Sequence, residues 1–121
     1  FYEYPEKGKK HLWPTLTDHF PIKDDHPTYE EIKTRYLSIM ALETYRCLEE
    51  GVLMKPEDGD VGSILGFGYP IYTGGAIGYI DYVGVQQFVE NCDGFAQKYG
   101  NRFKVPDSLR DKARKSEPMT V

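Results

Sequence analysis

Seven of the chain's twelve glycines fall in "GSILGFGYPIYTGGAIGYIDYVG", residues 62 to 84. Glycine-rich loops that open helices are one way a backbone cradles phosphate. "GFG" at 66 to 68 matches the first half of G-x-G-x-x-G, but position 71 is isoleucine. A dinucleotide fingerprint also needs a strand before the glycines and a helix opening at them. Here a helical pattern comes first, and Tyr69-Pro70 imposes extended chain afterwards. G-x-x-x-x-G-K-[ST] is absent too, because no lysine stands between Lys55 and Lys98. The glycines are therefore assigned to geometry, as helix ends and points of close backbone approach.

Three other groups could do chemistry. His11, His19 and His26 lie among Asp18, Asp24 and Asp25, but their wide spacing in a polar connector does not make a metal site, and no metal is expected. Cys47 and Cys92 lack a CxxC or Cys/His neighbourhood, which predicts free thiols in a reducing compartment. Glu43 and Asp81 are the carboxylates an autonomous enzyme would use for acid–base work. Glu43 is placed on the core side of a long helix, where pairing with Arg35 or Arg46 is the simpler role. No catalytic, cofactor-binding or metal residue is expected in this chain.

The elements that would position these residues are helical. "TYEE" from Thr28 is a capping box: the Thr28 hydroxyl accepts from the Glu31 amide while the Glu31 side chain reaches back. Ile32, Tyr36, Ile39, Met40 and Cys47 recur at helical spacing, and Leu37, Ala41, Tyr45 and Leu48 mark a second stripe. A helix over 28–50, stopped by Gly51 and covered on two sides, follows. Pro56 starts a second helix, with Glu57, Asp58 and Asp60 favouring its positive end, running to about Leu65 and stopping at Gly66. "YPIYTGG" reads as a loop and "AIGYIDYVG" as a short helix ended by Gly84. Residues 85–99 form another helix, and Pro106 opens a last, charged, outer one. No β-branched period-two run reaches four residues, so the class is all-α, with five main helices and no sheet of consequence. Residues 1–27, with prolines 5, 14, 21 and 27, read as an extended connector with one short helical turn near Pro14 to His19.

At 121 residues the chain can bury a core without staples. A net charge of −4 and a pI near 5.3 argue against nucleic acid or an anionic membrane surface as partner. No apolar run approaches the ~20 residues of a membrane span, and no leader is recognisable; a cytoplasmic protein is expected. The opening on Phe1 reads as a fragment of something longer.

At this point the motifs converge. "EDGDVGSILGFGYPIYTGGAIGYIDYVG" resembles the ED-x-D…G-x-G-x-P…GG/GP…DYVG signature of the C-terminal helical domain of 3-hydroxyacyl-CoA dehydrogenases. "EEIKTRYLSIMALETYRCLEEGV" resembles that domain's first long helix, I-x-N-R…EA-x-x-LLEEGV. "FYEYPEKGKKHLWP" is similar to the end of a preceding copy of the domain, and "VPDSLRDKARKSEP" to the last helix of the multifunctional enzymes that fuse enoyl-CoA hydratase to the dehydrogenase. The resemblance covers essentially the whole chain.

It implies a helical bundle like the C-terminal domain of 6-phosphogluconate dehydrogenase over 28–121, with 1–27 as the connector from the preceding copy. It implies a parent enzyme of fatty-acid β-oxidation that uses NAD to oxidise a 3-hydroxyacyl-CoA. In that family a Rossmann domain binds NAD and supplies a His general base oriented by Glu, with a Ser and an Asn near the substrate. Thr34 stands at the family's Asn position, as suits a second, degenerate copy. The isolated chain is expected to be inactive, to hold no cofactor, and to act by pairing with the preceding copy and the Rossmann domain, or as a homodimer when alone. The expected contact residues are Tyr36, Met40, Phe67, Tyr69, Gly74 and Gly75. The other reading is a stand-alone helical interaction module with no catalytic role.

Overall fold

The computed structural model describes residues 1–120. The proline-rich opening forms a small antiparallel hairpin, β1 (Tyr2–Glu3) with β2 (His11–Leu12), in which Tyr2 faces Leu12 and Glu3 faces His11. Strands this short carry no readable periodicity. The expected helical turn follows Pro14 as α1 (Leu16–His19). Aromatic contacts tie this part together, with the Phe1 and Phe20 ring centroids 5.6 Å apart and Trp13 stacked on His19 at 5.2 Å.

The long helix α2 (Tyr29–Glu49) begins as its sequence dictates, with the Thr28 hydroxyl accepting from the Glu31 amide at 3.2 Å. The other half of the capping box does not form. The Glu31 carboxylate turns to α5 instead, where it accepts from Lys98 Nζ at 2.5 Å and from the Tyr99 hydroxyl. The Lys98 bond, then the Tyr99 bond, hold the Glu31 carboxyl below its ordinary range. A charge-assisted partner 67 residues away thus displaces the weaker local bond. Gly51, at φ 72°, ends the helix as expected.

The two stripes on α2 are unequally covered. Leu37, Ala41, Leu42 and Tyr45 are buried, whereas Ile32 and Tyr36 remain 51% and 64% exposed. Two-sided coverage is therefore corrected in part: Ile32 and Tyr36 stay open, while Ile39, Met40 and Cys47 farther along the same stripe are half-buried.

The second helix, α3 (Pro56–Phe67), starts at Pro56 but runs past Gly66. It stops at Gly68, whose φ of 73° lets its own N–H and that of Tyr69 return to the carbonyls of Ile64 and Ser63. Gly66 keeps helical geometry because the reversal occurs two residues later, where Pro70 redirects the chain. A 3₁₀ turn (Ile71–Thr73) leads into α4 (Gly78–Val83), then α5 (Val85–Tyr99), a second 3₁₀ turn (Asn101–Phe103) and α6 (Asp107–Lys115). The five main helices fall where periodicity put them. Charge made α6 look wholly external, yet Leu109 is fully buried and Ala113 nearly so. Its outer face carries the charges, and Arg110 clamps it to α5 through two bonds to Asp93, at 2.8 and 2.5 Å.

The core lies between α2, α4, α5 and α6, where Leu42, Ile77, Ile80, Phe88, Cys92 and Leu109 are fully buried. Buried hydroxyls bridge the layers: Tyr69 donates to the Leu37 carbonyl at 3.0 Å, and Tyr45 meets Ser108 at 2.9 Å. The helices are thus joined by directed polar contacts as well as apolar packing.

Candidate functional site

The glycine stretch forms a joint between α3 and α4. Asp60 Oδ1, projecting from α3, accepts from the backbone N–H groups of Ile77 and Gly78, both at 2.8 Å. One turn on, Ser63 Oγ accepts from the Ala76 N–H at 3.0 Å and donates to the Asp60 carbonyl at 2.9 Å. Gly75 lies directly over Asp60: a Cβ there would fall 2.5 Å from the Cα, Cβ and Oδ1 of Asp60. The backbone donors at the start of α4, which a phosphate would need, are therefore already satisfied by a carboxylate. In the sequence Asp60 signals only a favourable charge near the start of α3. Its reach to residues 77 and 78 is a tertiary contact with no local sequence signal.

The two carboxylates considered for acid–base work are structural. Asp81 accepts from the Met119 N–H at 2.7 Å, the Thr120 N–H at 3.0 Å and the Thr120 hydroxyl at 2.9 Å, pinning the C-terminal segment to α4. Glu43 is exposed, which corrects its placement on the core side of α2. It pairs with Arg46 at 2.7 Å, while Arg46 Nη2 donates to the carbonyls of Arg102 and Lys104. Arg35, the other candidate partner, stacks over the Tyr99 ring at 4.1 Å instead. Thr34 is half-buried on α2.

The three histidines go separate ways. His11 pairs with Glu3 at 3.0 Å, His19 stacks on Trp13, and His26 bonds the Pro27 carbonyl at 3.2 Å. Among the described residues no three His, Cys, Asp or Glu side chains converge on a point that could hold a metal ion. Cys92 is buried and its thiol is pushed up to about 12 by that burial; Cys47 is half-buried.

What remains is an apolar face. Met40, Thr44 and Cys47 of α2, with Leu53, Gly62 and Phe67, line a groove of ≈ 380 Å³ between α2 and α3. Ile32 and Tyr36 stand exposed on α2, and Val61, Leu65 and Phe67 on α3. Beyond α3, Ile71, Tyr72 and Tyr82 are exposed as well, with the Tyr72 and Tyr82 rings 5.7 Å apart. Exposed apolar residues massed on adjoining elements mark interaction surfaces.

The six expected contact residues divide. Tyr36, Phe67 and Gly74 are exposed, and Met40 is half-buried at the groove. Tyr69 is only 3% exposed, its hydroxyl bonded inward and pushed up by burial, and Gly75 is sealed against Asp60. Those two are not open to a partner. Val61, Leu65, Ile71, Tyr72 and Tyr82 were missed, because a helix's outward direction depends on what its other side meets.

No family model matches the chain. It is similar to the protein named fatty acid oxidation complex subunit alpha in several bacteria. It is 36% identical to the Vibrio vulnificus subunit over 118 residues, covering 93% of this chain and 16% of that protein. It is 34% identical to the Shewanella putrefaciens subunit over 119 residues, covering 96% and 17%, and 44% identical to the Shewanella amazonensis subunit over 73 residues, covering 60% and 10%. The chain thus spans about a sixth of the length of the first of these relatives.

Proposed function

Since this chain is homologous to one segment of the alpha subunits of fatty acid oxidation complexes, we propose that it serves as a C-terminal helical domain of a fatty-acid β-oxidation enzyme. The parent activity in this reading is NAD-dependent oxidation of a 3-hydroxyacyl-CoA to the 3-ketoacyl-CoA. This domain braces the substrate cleft by pairing with a preceding helical copy and with the cofactor domain. The observation that supports pairing is the uncovered Ile32–Tyr36 end of the α2 stripe, beside the α2–α3 groove and the exposed aromatic residues of 67–82.

The residues present here do not fit NAD. The α4 N-terminus is capped by Asp60, and no strand–glycine–helix unit exists among the described residues. No hydride-transfer step is therefore assigned to this chain. Its contribution is mechanical: α2 offers an apolar ridge, and the Asp60 and Asp81 clamps stiffen the α3–α4 joint and the C-terminal segment that support it. A ridge held on a rigid frame loses little side-chain freedom when a partner covers it.

Alone, the chain keeps the ridge and lacks the partner, so a two-fold dimer burying roughly 1,200–2,000 Å² is the expected substitute. Tyr36→Asp is the variant of choice, because Tyr36 is 64% exposed whereas Met40 packs against the core cluster. Light scattering across concentrations should show a dimer for the wild type and a monomer for Tyr36→Asp. A wild type monomeric into the hundred-micromolar range (a weak-affinity bound) refutes pairing through this chain alone. Calorimetry with NAD should show no binding, and micromolar affinity would overturn the division of labour.

A further inference from the structure

We propose that the α2–α3 groove is covered by the N-terminal arm, residues 1–20, of a second copy of this chain, in a reciprocal exchange that fills both grooves. The inference rests on the pairing argued above and names the segment that makes the contact. In one molecule the groove, ≈ 380 Å³, is walled by Met40, Cys47, Leu53 and Phe67 and stands open. The arm carries apolar groups to cover it: Phe1, Tyr2, Tyr4, Trp13 and Phe20 are 39% to 77% exposed.

The arm has a shape of its own and no seat on its own body. β1 pairs with β2, the Trp13 N–H donates to the Phe1 carbonyl at 3.0 Å, and the Phe1–Phe20 and Trp13–His19 ring contacts close the unit. Among the described residues no hydrogen bond, ion pair or ring contact joins residues 1–26 to helices α2–α6. A two-stranded hairpin is marginal in water until its apolar side is packed on something. The connector 21–27 has neither helix nor strand, and Pro21 and Pro27 favour extended chain there. Extended, its seven residues span roughly 23–25 Å. A stiff connector of that length holds the arm clear of its own groove and carries it to a neighbour's, the geometry of an exchanged element.

Charge and area both fit a second copy. The loop between β1 and β2 carries Lys7, Lys9 and Lys10. The charged side chains lining the groove are Glu43 and Asp58, both acidic, with Glu57 beside them at the start of α3. Glu43 already meets Arg46, whereas Asp58 has no ion-pair partner among the described residues. A basic loop laid along an acidic rim sets the orientation of the arm, while its rings supply the burial. Each exposed aromatic of the arm still offers on the order of 100 Å². Covering three to five of them on each arm, with matching area on the other copy, gives roughly 1,200–2,000 Å², the size of a stable interface.

The test mixes ¹⁴N- and ¹⁵N-labelled full chains at a concentration where light scattering shows a dimer, joins touching amines and carboxylates with a carbodiimide, and reads the peptides by mass spectrometry. Mixed-isotope peptides should link Lys7, Lys9 or Lys10 to Glu43, Glu57 or Asp58. Lys9→Glu and Lys10→Glu together change exposed side chains and should weaken dimerisation about tenfold. Adding Asp58→Lys to that chain should recover part of the loss, since the reversed charges again face each other. Links between these residues found only in same-isotope peptides would place the arm on its own groove and overturn the exchange. A dimer that forms no such links, or is indifferent to the lysine reversals, overturns the exchange and leaves pairing through α2 standing. A chain monomeric into the hundred-micromolar range (a weak-affinity bound) overturns both.

Discussion

Gly75→Ala is the substitution that most directly probes the α3–α4 joint. Its added Cβ would lie 2.5 Å from three atoms of Asp60, one of them the backbone Cα, against an ordinary contact of 3.4–4 Å. The position also has φ 121°, which L side chains rarely adopt, and that strain costs about 1–3 kcal/mol. Relief requires α3 and the turn to separate, which loosens the two 2.8 Å bonds from the Ile77 and Gly78 N–H groups to Asp60. Losing one charge-accepting bond costs about 1.5–3 kcal/mol, so the whole effect is roughly 2.5–6 kcal/mol. That is a large part of the ~5–15 kcal/mol that holds a domain together. Gly66→Ala is the matched control, with nothing within 4 Å of its Cβ and a helical backbone. It should stabilise by about 1 kcal/mol. Urea unfolding of wild type, Gly75→Ala, Asp60→Ala and the double variant measures all of this. Gly75→Ala and Asp60→Ala should be less than additive, because both remove the same two bonds. A Gly75→Ala protein within about 1 kcal/mol of wild type would refute the joint as described.

Three further outcomes follow from the same contacts. Asp81→Ala removes the acceptor of three hydrogen bonds and should cost about 1–3 kcal/mol; hydrogen exchange at the Met119 and Thr120 amides should accelerate selectively, and unchanged protection would contradict the clamp. The Arg110 hydrogen bond holds the Asp93 carboxyl below its ordinary 3.8, and a depressed folded-state value gives stability that is whole above pH 3.8 and lost as pH falls through the lower folded value. Solvent screens this pair, so the effect is modest; unfolding measured between about pH 2 and 6 should show a shallower acid loss for Asp93→Asn, and parallel curves would count against it. Burial pushes the Cys92 thiol up to about 12, so a thiol reagent at about pH 8 should modify half-buried Cys47 first and Cys92 only as the chain unfolds, with mass spectrometry of timed samples as the readout and equal rates as the contrary result.

Helix ends were legible because their signals act within one turn. Thr28 caps α2, Gly51 ends it, Pro56 starts α3, Gly84 separates α4 from α5 and Pro106 precedes α6, each through backbone geometry or a bond to a residue three or four positions away. The all-α class followed from apolar spacing, and the chain's relatives were legible in motifs that run almost its full length. The candidate site was less so. Gly66 and Gly68 have equal local claims to end α3, and the direction of the chain after Pro70 decides between them.

Tertiary structure alone decided what each face meets. Two apolar stripes on α2 have similar composition, but Leu37, Ala41 and Tyr45 are buried, because the core gathers on that side and leaves Ile32 and Tyr36 outside. The fates of the carboxylates depend on the same placement. Glu31 abandons its local cap for Lys98 and Tyr99, Asp60 caps a helix that begins 18 residues later, and Asp81 holds a segment 38 and 39 residues away. A side chain's intrinsic chemistry is written in its residue type, whereas its partner is set by which helices lie within hydrogen-bonding reach, and that follows from packing of the whole core.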